Sequence, residues 1–264
     1  MTEWDAVEYD RIAALQQAMA GEVLGRLTLR RSERVLDVGC GDGRITAAVA
    51  SRVPSGSVVG VDASREMVEF ASGHFSAGDR GNLSFRVADA RSLKFREEFD
   101  LVISFNALHW IHEQEVALRG IWTALRPGGY AHLRLVPSGP RRCLEEVIEE
   151  TRHLPRFAAA FQGTEPPFRH PAPEDYAAMA ARCGFLVESV ERSDHCWDFG
   201  SREAFRAFAR VTFVEWTRRL AGSEQTAFIE DVLDRYRPVA WERPGEENCF
   251  KFYQMDAVFR RSPA

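Results

Sequence analysis

Residues Val35-Leu36-Asp37-Val38-Gly39-Cys40-Gly41-Asp42-Gly43-Arg44-Ile45-Thr46 run from an apolar strand through three alternating glycines into a helix start. Glycine at alternate positions lets the backbone take positive φ and lets a ligand approach with no Cβ in the way. The helix that follows turns free N–H groups toward the polar end of that ligand. Such a strand, turn and helix cradle a nucleotide and open a βαβ unit. A dinucleotide fingerprint, G-x-G-x-x-G, would need glycine where Arg44 stands, so the pyrophosphate reading loses its third contact point and a nicotinamide-dependent oxidoreductase is disfavoured.

Strand and helix patterns alternate along the next hundred residues. Apolar positions Ile12, Leu15, Met19, Val23, Leu24 and Leu27 give a helix or broken helix over about 5–29, an N-terminal helical lid within residues 1–30. Strands are expected at 34–38, 57–61, 82–87, 99–104 and 130–135, with helices over 43–52, 65–76 and 113–125 between them. Their continuous β-branched runs suit strands buried on both faces. The Arg126-Pro127-Gly128-Gly129 turn is expected to stop the third helix sharply. This order predicts an α/β, Rossmann-like, doubly wound and mostly parallel seven-stranded sheet, with ligands at the carboxyl ends of its strands. We expect one domain over 1–264: a cofactor-binding core over 31–136, and helical insertions over 137–180 and 200–240 that form an acceptor pocket. A helix at 173–182, a strand from 186 to about 192 and a last strand over 250–259 complete the sheet.

Composition narrows the partners. The 264 residues are 45% hydrophobic and 28% charged, enough for a full core. A net charge of −5 argues against nucleic acid or an anionic membrane, both of which call for a concentrated basic surface. The first residues, Met-Thr-Glu-Trp-Asp, carry no basic or apolar leader signal and no run is long enough to span a membrane, so a cytoplasmic protein is expected. Cys40, Cys143, Cys183, Cys196 and Cys249 are scattered without C-x-x-C or Cys/His clustering, which predicts reduced thiols and no metal site. Lys94 and Lys251 are the only lysines, an arginine bias that fits high-GC bacterial coding.

The Asp37-x-Gly39-x-Gly41-x-Gly43 pattern resembles motif I of the class I S-adenosylmethionine-dependent methyltransferases, and the likeness covers residues 35–135 closely. The resemblance implies S-adenosyl-L-methionine as cofactor, with Asp37, Gly39 and Gly41 around its methionyl part. Asp62 lies 23 residues after Gly39, at the end of the second strand, where an acidic side chain accepts from both ribose hydroxyls; its alternative role is a helix cap. Ala63 and Met67 are carried over beside it. Asp89 and Ala90 follow the third strand at the adenine position, and Asn106 follows the fourth, facing the methyl donor. The segment Ser104-Phe105-Asn106-Ala107-Leu108-His109-Trp110 resembles that of trans-aconitate methyltransferases and juvenile hormone acid methyltransferases, which esterify small carboxylates. Tyr9 followed by Gln16 is similar to the opening of the juvenile hormone acid enzymes, implying that Gln16 and Trp110 hold the acceptor carboxylate. The arginine-rich segment 137–175 matches neither family in detail.

Methyl transfer is an in-line displacement that asks the protein to align two ligands and exclude water. A carboxylate acceptor is already an anion and needs no base, whereas a phenol, amine or carbon acceptor does. His109 is either that base or a positioning residue. Glu145, Glu146, Glu149 and Glu150 read as a solvated helix face, and one of them buried would point to a base. Trp110, Phe161, Trp197, Phe213 and Trp216 wall an apolar pocket or belong to the core. The expected activity is O-methylation of a small acid in bacterial specialised metabolism. The alternatives are C- or N-methylation of an isoprenoid or indolic compound, and a non-catalytic S-adenosylmethionine binder.

Overall fold

The computed structural model describes residue 15, residues 18–75 and residues 81–263. Tyr9 and Gln16 lie outside the described residues, as does most of the expected lid; residues 18–26 form helix α1. The core follows as β1 (Arg34–Val38), α2 (Arg44–Arg52), β2 (Ser57–Asp62), α3 (Arg65–Phe75), β3 (Leu83–Val87), β4 (Phe99–Phe105), α4 (Gln114–Ala124) and β5 (Leu125–Leu135). Then come α5 (Leu144–Arg152), α6 (Pro173–Arg182), β6 (Phe185–Asp198), α7 (Arg202–Thr212), α8 (Val214–Thr217), α9 (Gly222–Ala240) and β7 (Cys249–Arg261).

The seven strands lie in the order β3-β2-β1-β4-β5-β7-β6. β3, β2, β1, β4 and β5 pair in parallel, and β7 runs antiparallel to β5. Alternation along each strand divides the burial between two faces. In β1, Leu36 and Val38 enter one apolar cluster with Leu118 and Phe259, while Val35 enters the other with Val23 and Val49. Each fully buried aliphatic side chain contributes about 1.5–3 kcal/mol, which is why these runs carry almost no polar residue.

The expected elements recur with shifted ends. β5 begins at Leu125, because Phe99 pairs with Leu125 before the register jumps to Leu101 with Tyr130. The Arg126–Gly129 stretch bulges out of the ladder there, with Gly128 at φ 79°. No described helix is long and apolar enough to cross a membrane.

The chain divides into two compact units. One holds Ala20–Pro137, Phe168–Ser193 and Gln254–Ala264, and so contains most of the sheet. The other includes Ser138–Pro167 and Asp194–Tyr253 and is mainly helical. Its core is aromatic: Phe157 meets Phe228 edge-on at 5.0 Å, and Phe199 stacks on Phe205 at 4.9 Å. The α5 glutamates do not form one solvated face. Leu144, Val147 and Ile148 turn inward, which leaves Glu146 and Glu150 exposed but puts Glu145 and Glu149 on the flank of the buried stripe. Glu149 accepts from Trp216 Nε1 at 2.7 Å and pairs with Arg152 at 2.6 Å. Arg152 is 4% exposed, so the arginines of this segment are not all at the surface. Phe161, Phe213 and Trp216 are buried in the core.

Candidate active site

The turn after β1 is shaped by its backbone. Gly39 sits at φ 77°, and a Cβ there would stand 2.2 Å from the Cβ of Ala107, beyond the end of β4. Gly39 and Cys40 both donate to the carbonyl of Val61, tying the turn to β2. Gly41, at φ 52°, has open space where its Cβ would lie. That is the side on which a ligand can approach the backbone. No side chain caps α2 at Gly43, and Asp42 accepts from the N–H of Arg44 at 3.1 Å and pairs with its guanidinium at 3.2 Å.

Two acids flank this turn. Asp37, 2% exposed, accepts from the Thr46 hydroxyl at 2.7 Å. Burial, with Asp62 nearby, pushes its carboxyl up to about 7, despite the Thr46 hydrogen bond. A cation such as an ammonium is the partner that would restore its charge. Asp62 is half-buried and accepts from Gly41 N–H at 3.0 Å and Ser64 N–H at 2.8 Å, one on each oxygen. Each oxygen keeps a lone pair, which fits two vicinal hydroxyls. The first turn of α3 is capped by Ser64 Oγ, which accepts from Met67 N–H, so the helix does not consume Asp62.

The neighbouring strand ends complete an apolar and polar rim. Ala88 N–H donates to the Asp62 carbonyl, bringing the end of β3 beside that of β2. Met67 is 46% exposed and offers an apolar surface on α3, next to Asp62 and Ala63. Ala90 is buried, whereas Asp89 is held by Arg91 through a fork of 3.0 and 2.6 Å that keeps its carboxyl below the usual range. The structure thus gives Asp89 a partner inside the chain. Asn106 takes φ 57°, donates its N–H to the Arg134 carbonyl at 2.8 Å and accepts from Gln254 Nε2 at 2.9 Å.

His109 and Trp110 follow in a short 3₁₀ turn, Leu108–Trp110. Gln114 pins this turn by donating to the carbonyls of Leu108 and Arg169, while Arg169 N–H donates to the His109 carbonyl at 2.7 Å. His109 is 4% exposed, its ring 5.8 Å from that of His170. Burial, then the proximity of His170, brings its imidazole down to about 3, and burial brings His170 down to about 4. Both rings are therefore neutral at physiological pH. Trp110, 39% exposed, packs against His109 at 5.1 Å and leaves much of its surface open.

Four further polar residues, His132, Arg134, Gln254 and Asp256, belong to no sequence motif. His132 and Arg134 alternate within an apolar strand, and Gln254 and Asp256 do the same on β7, with Asp256 directly opposite Arg134. Two polar residues on one face of a buried strand were the available signal. Arg134 forks onto Asp256 at 2.9 and 2.8 Å, and His132 Nε2 lies 3.2 Å from the same carboxylate.

Residues 35–129 match the methyltransferase domain family. The chain is 33% identical over 268 residues to trans-aconitate 2-methyltransferase of Deinococcus radiodurans, covering 98% of both proteins. It is 33% identical over 147 residues to juvenile hormone acid O-methyltransferase of Bombyx mori, which spans about half of each: 51% of this chain and 52% of that one. Its fold matches that of the YcgJ protein of Bacillus subtilis with a TM-score of 0.66 at 19% identity, covering 94% of this chain and 100% of the other. With the glycine turn open at Gly41, an acid at the end of β2 and the full-length likeness in sequence, the chain belongs to the class I methyltransferases that use S-adenosylmethionine on small molecules.

Proposed function

We propose that this enzyme transfers the methyl group to a carboxylate oxygen of a small acid. The observation that carries the reading is the buried, neutral His109. An imidazole brought down to about 3 is a poor base for a phenol, whose ordinary pKa is near 10. An ionised acid asks for no proton transfer. Bound S-adenosylmethionine supplies a methyl carbon activated by its sulfonium. An acceptor carboxylate held beside that carbon would leave as its methyl ester, with S-adenosylhomocysteine as the other product.

In this reading Asp62 and Met67 hold the nucleoside, with Ala63, Asp89 and Ala90 along the same rim. Asp37, the Gly39–Gly41 turn and Asn106 hold the amino acid end. Trp110 and Gln16 hold the acid, with His109 keeping Trp110 in place. The two relatives bear names that refer to an acid or its anion, which supports the same class. We assign the physiological setting to the cytoplasm and to bacterial specialised metabolism; the arginine bias of the chain bears on coding and carries no functional weight.

Glu145 favours a second reading. It is half-buried on α5, and burial pushes its carboxyl up. A glutamate of this kind is a suitable base for C- or N-methylation.

Mass spectrometry of reactions with trans-aconitate, an isoprenoid acid, a phenol and an indole tests the choice. Methyl esters are expected from the acids alone. At saturating S-adenosylmethionine, kcat/KM for the acid should stay flat from pH 6 to 9 in both the native enzyme and His109→Gln. A rising limb that Glu145→Gln abolishes, with a rate loss of about 10²–10⁴, would transfer the assignment to a base-dependent acceptor. Cofactor binding without any methylated product would leave the non-catalytic binder.

A further inference from the structure

Arg134 is the penultimate residue of β5 and is 0% exposed. It stands directly opposite Asp256 in the antiparallel β5/β7 pair. A guanidinium carries five N–H groups in fixed directions in one plane. Here Nε and Nη2 donate to the two oxygens of Asp256, and Nη2 also donates to Glu22 Oε1 on α1 at 3.1 Å. Against the push of burial, hydrogen bonds from His132 and Arg134 hold the Asp256 carboxyl well below the usual carboxylate range, so the fork is fully ionic. Nη1, on the other edge, is buried and has no hydrogen-bond partner among the described residues.

The fork fixes where that edge faces. Asp256 lies on the β7 side of β5, so Nη1 points away from β7; β4 is the strand on the other side of β5. There Arg134 pairs with Phe105 and accepts the N–H of Asn106, next to Ala107, which closes over Gly39. The end of β4 adjoins the cofactor turn, at the point where strand order reverses and ligands bind in doubly wound sheets. The nearby carboxylates are spent: Asp256 serves Arg134, His132 and Arg26, and Glu22 serves Arg134 and Arg26. A buried charged donor with no acceptor is costly, and such a cost is typical of ligand sites.

We propose that Arg134 is an acceptor-binding residue whose Nη1 group holds a carboxylate of the acid substrate at the end of β4. This rests on the acid reading above. It makes Arg134 a determinant of both the charge and the placement of the acceptor, while Asp256 and Glu22 orient the guanidinium. Arg134→Lys keeps a cation for Asp256 but loses the second edge, and the double variant Arg134→Leu/Asp256→Leu removes the pair without stranding a charge.

With trans-aconitate as the acid probe, both variants should raise its KM by about tenfold or more, with a smaller change in kcat and unchanged affinity for S-adenosylhomocysteine. A folded variant with unchanged KM overturns the proposal. So does a loss of S-adenosylhomocysteine affinity that its decarboxylated analogue, S-adenosyl-3-thiopropylamine, does not share, since Nη1 would then serve the cofactor. Should neither variant fold, the native enzyme crystallised with S-adenosylhomocysteine and trans-aconitate decides: a substrate oxygen within hydrogen-bond distance of Nη1 is expected, and a water or nothing there overturns it. If the native enzyme esterifies no acid, the acid reading and the anchor fall together. Ester formation with an unaffected KM removes the anchor alone.

Discussion

The cofactor turn and the helical unit reach order by different means. Between β1 and α2 the shape resides in the backbone: Gly39 at φ 77° leaves room for Ala107, Gly41 opens a face, and main-chain N–H groups bond to Val61. The helical unit instead depends on side chains distant in sequence, such as Trp216 on Glu149 and Phe157 on Phe228. A backbone-defined site tolerates almost no change at a few positions, whereas a packed aromatic core spreads its stability over many contacts. Substitutions in the first should strike ligand binding as well as stability, and those in the second stability alone.

The sharpest break of this contrast is Gly39→Val. Both the positive φ and the 2.2 Å approach to Ala107 oppose any Cβ, so a loss of roughly 2–5 kcal/mol is expected, read by urea unfolding and by abolished cofactor binding. A stable variant that still binds S-adenosylhomocysteine would show that the turn can re-form around a side chain.

Next in size is the pH response of Asp37. Its folded value of about 7 lies above the roughly 3.9 of an unfolded chain, so its stabilising contribution is full below about pH 4 and lost as pH rises through 7, at most about 4 kcal/mol. Cofactor binding should respond in the opposite sense, because an ammonium prefers the ionised carboxylate: affinity for S-adenosylhomocysteine should rise toward pH 7 with release of a proton. Calorimetry in buffers of different ionisation enthalpy measures that proton, and Asp37→Asn should eliminate it.

Asp62→Ala should weaken S-adenosylhomocysteine binding by about 1–3 kcal/mol, with a smaller effect on stability, since two ribose hydroxyls lose a charged acceptor. An unchanged dissociation constant would return Asp62 to a purely structural role at Gly41 and Ser64. The smallest effect belongs to the helical unit. Trp216→Phe removes the 2.7 Å hydrogen bond to Glu149, and about 1–2 kcal/mol of stability should go with it while cofactor affinity stays the same. A comparable fall in cofactor affinity would dissolve the distinction between the two regions.

Sequence alone determined the parallel half of this protein, because its signals are local. A β-branched run, alternating glycines and an acid at the next strand's end are read within thirty residues, and each strand can be buried on both faces only in a sheet covered by helices. The acidic rim at Asp37 and Asp62 was legible for the same reason. Tertiary structure decided whatever depended on partners far along the chain. His132 and Arg134 became a buried ionic cluster only because β7 returns 122 residues later between β5 and β6, and Glu149 was withdrawn from solvent by a tryptophan 67 residues away. His109 appeared in the sequence as a titratable group. Burial beside His170 makes it neutral, and that follows from desolvation in the folded chain, a property no local pattern encodes.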